Sequence, residues 1–120
     1  MSDPVRVVLA EDSQVFRDTL QLRSDVEVVA SVGDGAQAVE AARQAAPDVV
    51  LMDYRLPGLD GVQATRAVRE ACPDVKVVCL TASANVKERE ALIEAGAERC
   101  LTKDQELDDI VAAIHEAVGR

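Results

Sequence analysis

The sequence is poor in aromatic residues: among its 120 positions there is one phenylalanine, one tyrosine and no tryptophan. Phe16 and Tyr54 are too few to build a stacking platform for single-stranded nucleic acid. Basic residues are also outnumbered, 13 against 22 acidic ones, for a formal net charge of −9. Binding to a phosphate backbone draws its affinity from lysine and arginine, so this balance speaks against nucleic acid as a ligand of the domain itself. No apolar run approaches the ~20 residues that span a bilayer, and no membrane association is expected. The opening Met1-Ser2-Asp3-Pro4 has no basic stretch leading into an apolar one, so no secretory signal is read. Cys72, Cys79 and Cys100 are odd in number and lack CxxC spacing. They read as small buried apolar residues of a chain in a reducing compartment, the cytoplasm. The single histidine, His115, lies in the last helical segment, far from the C-terminal strand ends, and is not read as an acid or base.

What is present is an alternation of short apolar runs with helix-period segments, in a length that suits one domain. Residues 5–10 (VRVVLA), 26–30 (VEVVA), 48–53 (DVVLMD), 76–80 (KVVCL) and 99–101 have strand length and β-branched content. The third is almost wholly apolar inside, which suits a strand covered on both faces. Between them, Ser13 offers an N-cap to a short helix carrying Val15, Phe16, Thr19, Leu20 and Leu22. Ala36, Val39, Ala42 and Ala46 mark a face of the second helix, which Pro47 ends. A Pro57-Gly58 turn precedes Asp60, which can cap a third helix to about Ala71. A fourth helix runs to about Ala95 and is closed by Gly96. Leu107, Ile110, Val111, Ile114 and Val118 form one stripe on a fifth helix, with Asp104 as its expected cap. Five strand–helix units of this kind predict an α/β, doubly wound, five-stranded parallel sheet of order 2-1-3-4-5 with five helices, flavodoxin-like.

In such a sheet ligands bind beyond the C-terminal strand ends, where strand order reverses. The residues that fall there are Glu11 and Asp12 after strand 1, Asp53 ending strand 3, Thr81 ending strand 4, and Thr102-Lys103 after strand 5. Each alone has an ordinary use as a cap, turn former or solvated side chain. Three acids meeting at one place repel one another and call for a cation, and oxygen-only ligands suit Mg²⁺. With that charge masked, a carboxylate can accept a phosphoryl group as an acyl phosphate. Asp53, on the central strand, is the best acceptor. Lys103 and Thr81 supply the charge and the hydroxyl that the new group needs.

On these residues the chain closely resembles a response-regulator receiver domain of two-component signalling, and the likeness covers residues 1–120. It rests on Glu11-Asp12, on Asp53 within DYRLPGLDG, on Thr81 within LTAS, on the EAGA segment at 94–97, and on Lys103. The resemblance implies Mg²⁺-dependent phosphorylation of Asp53 by a sensor histidine kinase, a phosphotransfer protein or a small phosphodonor. It implies metal binding by Asp12, Asp53 and the backbone carbonyl of Arg55, with Glu11 acting through water. It implies contact of Thr81 and Lys103 with the phosphoryl oxygens. The domain would be a signalling switch and not an enzyme on external substrates. Its surface of helix 4, strand 5 and helix 5 would change on phosphorylation, with homodimerisation as one outcome.

Three features depart from the family pattern. Cys100 stands three residues before the lysine, where an aromatic is common, so the expected response is a reordering of the 81–86 loop with little rotation in strand 5. Lys103 is followed by Asp104 where many receivers have proline; this, with VEVVASVGDG, resembles the subfamily that precedes helix-turn-helix output domains. No output domain is read after Val118, which leaves a stand-alone receiver and an excised N-terminal domain as equal alternatives. Helix 1 is short by about one turn, ~3.6 residues, which predicts poor phosphotransfer from generic kinases. Arg55 and Ser83 occupy positions that tune phosphate lifetime in the family. Rival readings fit less well. A flavin or nucleotide carrier wants a Gly- or Ser-rich loop where Glu11-Asp12 stands. An aspartyl-nucleophile phosphatase wants a second acid where Arg55 stands. A passive interaction module has no need of the acid cluster.

Overall fold

Strands and helices alternate from end to end in the computed structural model, which describes residues 3–56, 58–82 and 85–119. The elements are β1 (Val5–Ala10), α1 (Gln14–Gln21), β2 (Val26–Val32), α2 (Gly35–Ala45), β3 (Val49–Asp53), α3 (Gly61–Ala71), β4 (Lys76–Thr81), α4 (Val86–Ala95), β5 (Arg99–Thr102) and α5 (Leu107–Ala117). The strands form one parallel sheet in the order β2-β1-β3-β4-β5. This is the architecture read from the sequence.

Alternate strand residues feed two cores. Val8, Val50, Met52, Val77 and Cys79 meet Ala38 and Ala42 of α2, Ala64 and Val68 of α3 and Leu92 of α4. Val7, Leu9, Leu51, Val78 and Leu80 meet Leu20 of α1 and Ile110, Val111 and Ile114 of α5. Every residue of β3 is buried, as expected of a central strand covered on both sides. Each buried aliphatic side chain contributes roughly 1.5–3 kcal/mol, so the apolar runs themselves drive the layering.

Local chemistry sets the element ends. Ser13 caps α1, and Asp60 with Gln63 closes a reciprocal capping box on α3. Ala46 ends α2 in the left-handed region (φ 45), and Arg6 donates to the carbonyls of Ala45 and Ala46 at 3.0 and 2.9 Å. Gly96 closes α4 as expected. At Gly61 a Cβ would lie 2.8 Å from Tyr54 Cα; its absence lets the Gly61 N–H donate to the Tyr54 carbonyl at 3.0 Å and close the loop after β3.

Several expectations fail locally. Val15 and Leu22 are 77% and 85% exposed, and Thr19 is exposed too, so only Leu20 and part of Phe16 anchor the eight-residue α1. The short helix read here does form, with Leu22 as its C-cap. On α2 the buried residues are Gly35, Ala38 and Ala42, while Ala36 and Ala46 are exposed. α5 begins at Leu107, so its N-cap position is Glu106, whose side chain makes no capping bond; Asp104 lies two residues further out and accepts the Thr102 hydroxyl. Strand β2 runs on to Val32, past a register shift opposite Val7/Val8. Cys79 and Cys100 are buried, whereas Cys72 is half-buried; all three are free thiols. Pro57 of the expected turn, and Ser83 and Ala84 of the 81–86 loop, lie outside the described residues.

Candidate functional site

Parallel pairing carries β1, β3 and β4 to one edge of the sheet, and the polar residues follow directly. The Glu11 N–H donates to the Val32 carbonyl at 3.1 Å, which extends the β1–β2 ladder by one residue and holds Glu11 down. Its side chain is 1% exposed. Asp12, next along, is exposed. Asp53 ends β3 and is buried. The carboxylate oxygens of Glu11, Asp12 and Asp53 lie within 4.8 Å of one another.

Lys103 comes to these acids from the far side. Its N–H donates to the Thr81 carbonyl at 2.8 Å, which fixes the chain leaving β5 against the end of β4. Its Nζ then lies 2.7 Å from Asp53 Oδ2 and 3.2 Å from Glu11 Oε2. Asp53 Oδ1 accepts from the Arg55 N–H at 3.2 Å, and Glu11 Oε1 accepts from the Ser13 N–H at 3.1 Å. The Arg55 side chain is exposed.

Charge is poorly balanced here. Burial, then the Asp53 charge and a bond to Asp12, push the Glu11 carboxyl up from its ordinary value. Burial by itself would lower the Lys103 ammonium, but its hydrogen bond to Asp53 and the charges of Asp53 and Glu11 outweigh that and raise it. One ammonium does not neutralise three carboxylates. Glu11 Oε2 is buried with no hydrogen-bond donor aligned on it, although Lys103 Nζ is near. An orphaned buried oxygen beside two further carboxylates fits a hard divalent cation with its own water, as Mg²⁺ carries.

Thr81 is buried at the end of β4, one residue beyond Leu80, the strand partner of Asp53. Its hydroxyl donates to Glu88 Oε2 on α4 at 3.5 Å. Glu88 was not singled out in the sequence; the signal available was an acid at the third helical position after Asn85. All five predicted side chains, Glu11, Asp12, Asp53, Thr81 and Lys103, therefore fall at one sheet edge, four of them linked by their charges. His115 is remote: its Nε2 lies 3.4 Å from Asp25, before β2.

Known proteins similar to this chain are numerous. The family profile described as the response regulator receiver domain matches residues 7–115. A probable transcriptional regulatory protein NarL of Mycobacterium tuberculosis is 37% identical over the whole chain, which covers 60% of that relative. A transcriptional regulatory protein of Bacillus subtilis is 34% identical over 92% of the chain, covering 52% of its own length. The chain thus spans about 60% or less of these two curated relatives. Among solved structures, the signal receiver domain of the putative M. tuberculosis NarL superposes with a TM-score of 0.91 at 36% identity, covering 99% of this chain and 100% of that one. The receiver domain of a Pseudomonas aeruginosa sensor histidine kinase, with a magnesium ion coordinated in its active-site cleft, superposes with a TM-score of 0.84 at 32% identity, covering 98% and 99%. Sheet order, the acid cluster with its lysine, and a family match over nearly the full length agree: the chain belongs to the response regulator receiver domains of two-component signalling.

Proposed function

We propose that Asp53 is the phosphoacceptor of this receiver and that Glu11, Asp12, Thr81, Lys103 and Arg55 serve its phosphorylation. The observation that carries this reading is the Lys103 Nζ–Asp53 Oδ2 pair at 2.7 Å, set against a cluster of three acids. Asp12, Asp53 and the Arg55 backbone carbonyl would hold Mg²⁺, with Glu11 bound through water. When bound, the ion supplies positive charge that lets an anionic phosphodonor approach the acids.

In the transfer an Asp53 carboxylate oxygen forms a bond to phosphorus. The bond from phosphorus to the donor's leaving atom breaks and the electron pair stays with that atom: an imidazole nitrogen of a phosphohistidine, which takes a proton from solvent, or a carboxylate oxygen of acetyl phosphate, which leaves as acetate. Lys103 pairs with the developing phosphoryl oxygens, exchanging part of its interaction with Asp53 for one with the new group. Thr81 donates its hydroxyl to another of those oxygens. The Arg55 N–H, which already bonds Asp53 Oδ1, keeps the carboxylate oriented. The donor is a sensor histidine kinase, a phosphotransfer protein or a small phosphodonor.

The modified domain then signals in the cytoplasm through α4, β5 and α5. Two curated relatives are named as transcriptional regulators, and we assign the signal to an output partner or a DNA-binding domain, with homodimerisation as one route. Intact-mass analysis after acetyl phosphate and Mg²⁺ tests the core of this reading. One added phosphoryl group is expected, absent from Asp53→Asn. No mass gain, or the same gain in Asp53→Asn, would reject Asp53 as acceptor; turnover of an external phosphate ester would point to a hydrolase instead.

A further inference from the structure

The Thr81 hydroxyl has a partner on a different element, the first turn of α4. Glu88 Oε2 accepts from Thr81 Oγ1 at 3.5 Å. The backbone of that turn is anchored, since Asn85 Oδ1 accepts from the N–H groups of Lys87 and Glu88 at 2.9 and 3.3 Å. Glu88 is the third helical residue of α4, the position that Gln63 holds in α3. In α3 that side chain turns back to the Asp60 backbone and completes the capping box. In α4 the carboxylate lies over the end of β4.

We propose that Glu88 is a positioning residue that holds the Thr81 hydroxyl in the unmodified protein and surrenders it when Asp53 is phosphorylated. This rests on the reading of Asp53 as acceptor and of Thr81 as its hydroxyl donor. A hydroxyl has one proton to donate. While that proton goes to Glu88 Oε2 it is not given to a phosphoryl oxygen, so the two acceptors compete. No covalent bond changes in this step; the O–H turns from one oxygen to the other. Glu88 then loses this donor, and the first turn of α4 loses a tie to the sheet. Information passes from site to helix through a helix side chain, which needs no aromatic on β5, where Cys100 stands. A bond to an ionised acceptor is stronger than one to a neutral amide, so Glu88 also sets how readily Thr81 is released.

Fluoroberyllate with Mg²⁺ is the probe; it stands in for the phosphoryl group on Asp53 without covalent turnover. It is titrated calorimetrically into the full chain and its variants, with thermal melts checking that each is folded. Glu88→Gln is expected to bind roughly three-fold tighter than the unsubstituted protein, part of the difference between releasing a charged and a neutral acceptor, since the Thr81–Glu88 bond is long at 3.5 Å. Glu90→Gln removes the same charge from an exposed position of the same helix and is expected to change binding less than about two-fold. In a Thr81→Ala background Glu88→Gln is expected to have no effect, and in a Thr81→Ser background, which keeps the hydroxyl, the gain returns. Glu88→Gln binding within about two-fold of the unsubstituted protein would overturn the proposal. So would an equal gain with Thr81→Ala, which would make the effect one of general charge. If the unsubstituted protein itself takes no fluoroberyllate, the Asp53 reading fails first and this inference falls with it.

Discussion

Glu11→Gln is expected to stabilise the protein in EDTA and to weaken its response to Mg²⁺. The oxygens of Glu11, Asp12 and Asp53 lie within 4.8 Å of one another. At an effective dielectric of about 20, each like-charged pair at that spacing costs about 3.5 kcal/mol, so Glu11 faces about 7 kcal/mol of repulsion. Lys103 Nζ at 3.2 Å offsets about 5 kcal/mol of it. Burial of the carboxylate adds a further cost, while screening of the exposed Asp12 reduces the repulsion. The net gain from neutralising Glu11 is about 1 kcal/mol, which corresponds to a rise in Tm of about 4 °C for a domain of this length. The pH dependence has a definite sign. The folded carboxyl of Glu11 is raised above the ordinary value of 4.5, so the folded protein takes up a proton before the unfolded chain does. In EDTA, stability therefore improves as pH falls through that raised value toward 4.5, and Glu11→Gln lacks this improvement. Urea unfolding from pH 7 downward, with and without Mg²⁺, reads both effects. Mg²⁺ bound to the folded state alone adds stability as RT ln(1 + [Mg²⁺]/Kd), and the variant should gain less. A Glu11→Gln protein that melts below the unsubstituted one in EDTA, or that gains as much from Mg²⁺, would refute the electrostatic argument.

Three further outcomes test the frame around the site. Ile114→Ala, fully buried on α5, should lose about 3 kcal/mol in urea unfolding; a loss below about 1 kcal/mol would mean the α1/α5 core is loosely packed. Gly35→Ala should lose about 1–3 kcal/mol, since its Cβ would lie 2.4 Å from the Leu59 carbonyl oxygen and force α2 from the loop after β3. An Ala variant as stable as the original would contradict that close approach. Arg23 donates to both Asp25 and Asp108, and its bond to Asp25 holds that carboxyl below the ordinary 3.8. That contribution is present above pH 3.8 and disappears as pH falls through the lower folded value, so acid unfolding of Arg23→Ala should show a smaller acid-dependent loss. The same variant should change stability only slightly at neutral pH, because the ion pairs are exposed to solvent.

How much was legible in advance depended on whether the signal was local. The five strands announced themselves because a parallel sheet buries both faces and writes near-continuous β-branched runs. Asp60 as a cap and Gly96 as a helix end were equally readable, since each follows from one residue's own hydrogen-bonding or backbone freedom. The start of α5 was not legible from Asp104, because the backbone turns helical only at Leu107, and the folded chain shows Asp104 accepting from Thr102. Glu88 went unnoticed for a different reason: an acid in the first turn of a helix is already explained by the helix dipole.

The sequence by itself determined the layered parallel sheet and which residues stand at its C-terminal edge, because strand periodicity and chain order settle both. Tertiary structure alone decided what those residues do to one another. It set Lys103 against Asp53 across 50 positions of sequence, left one Glu11 oxygen without an aligned donor, and turned Glu88 onto Thr81. Periodicity reports which face a side chain takes; the ångström separations that decide charge balance and proton sharing arise only when distant strand ends are packed side by side.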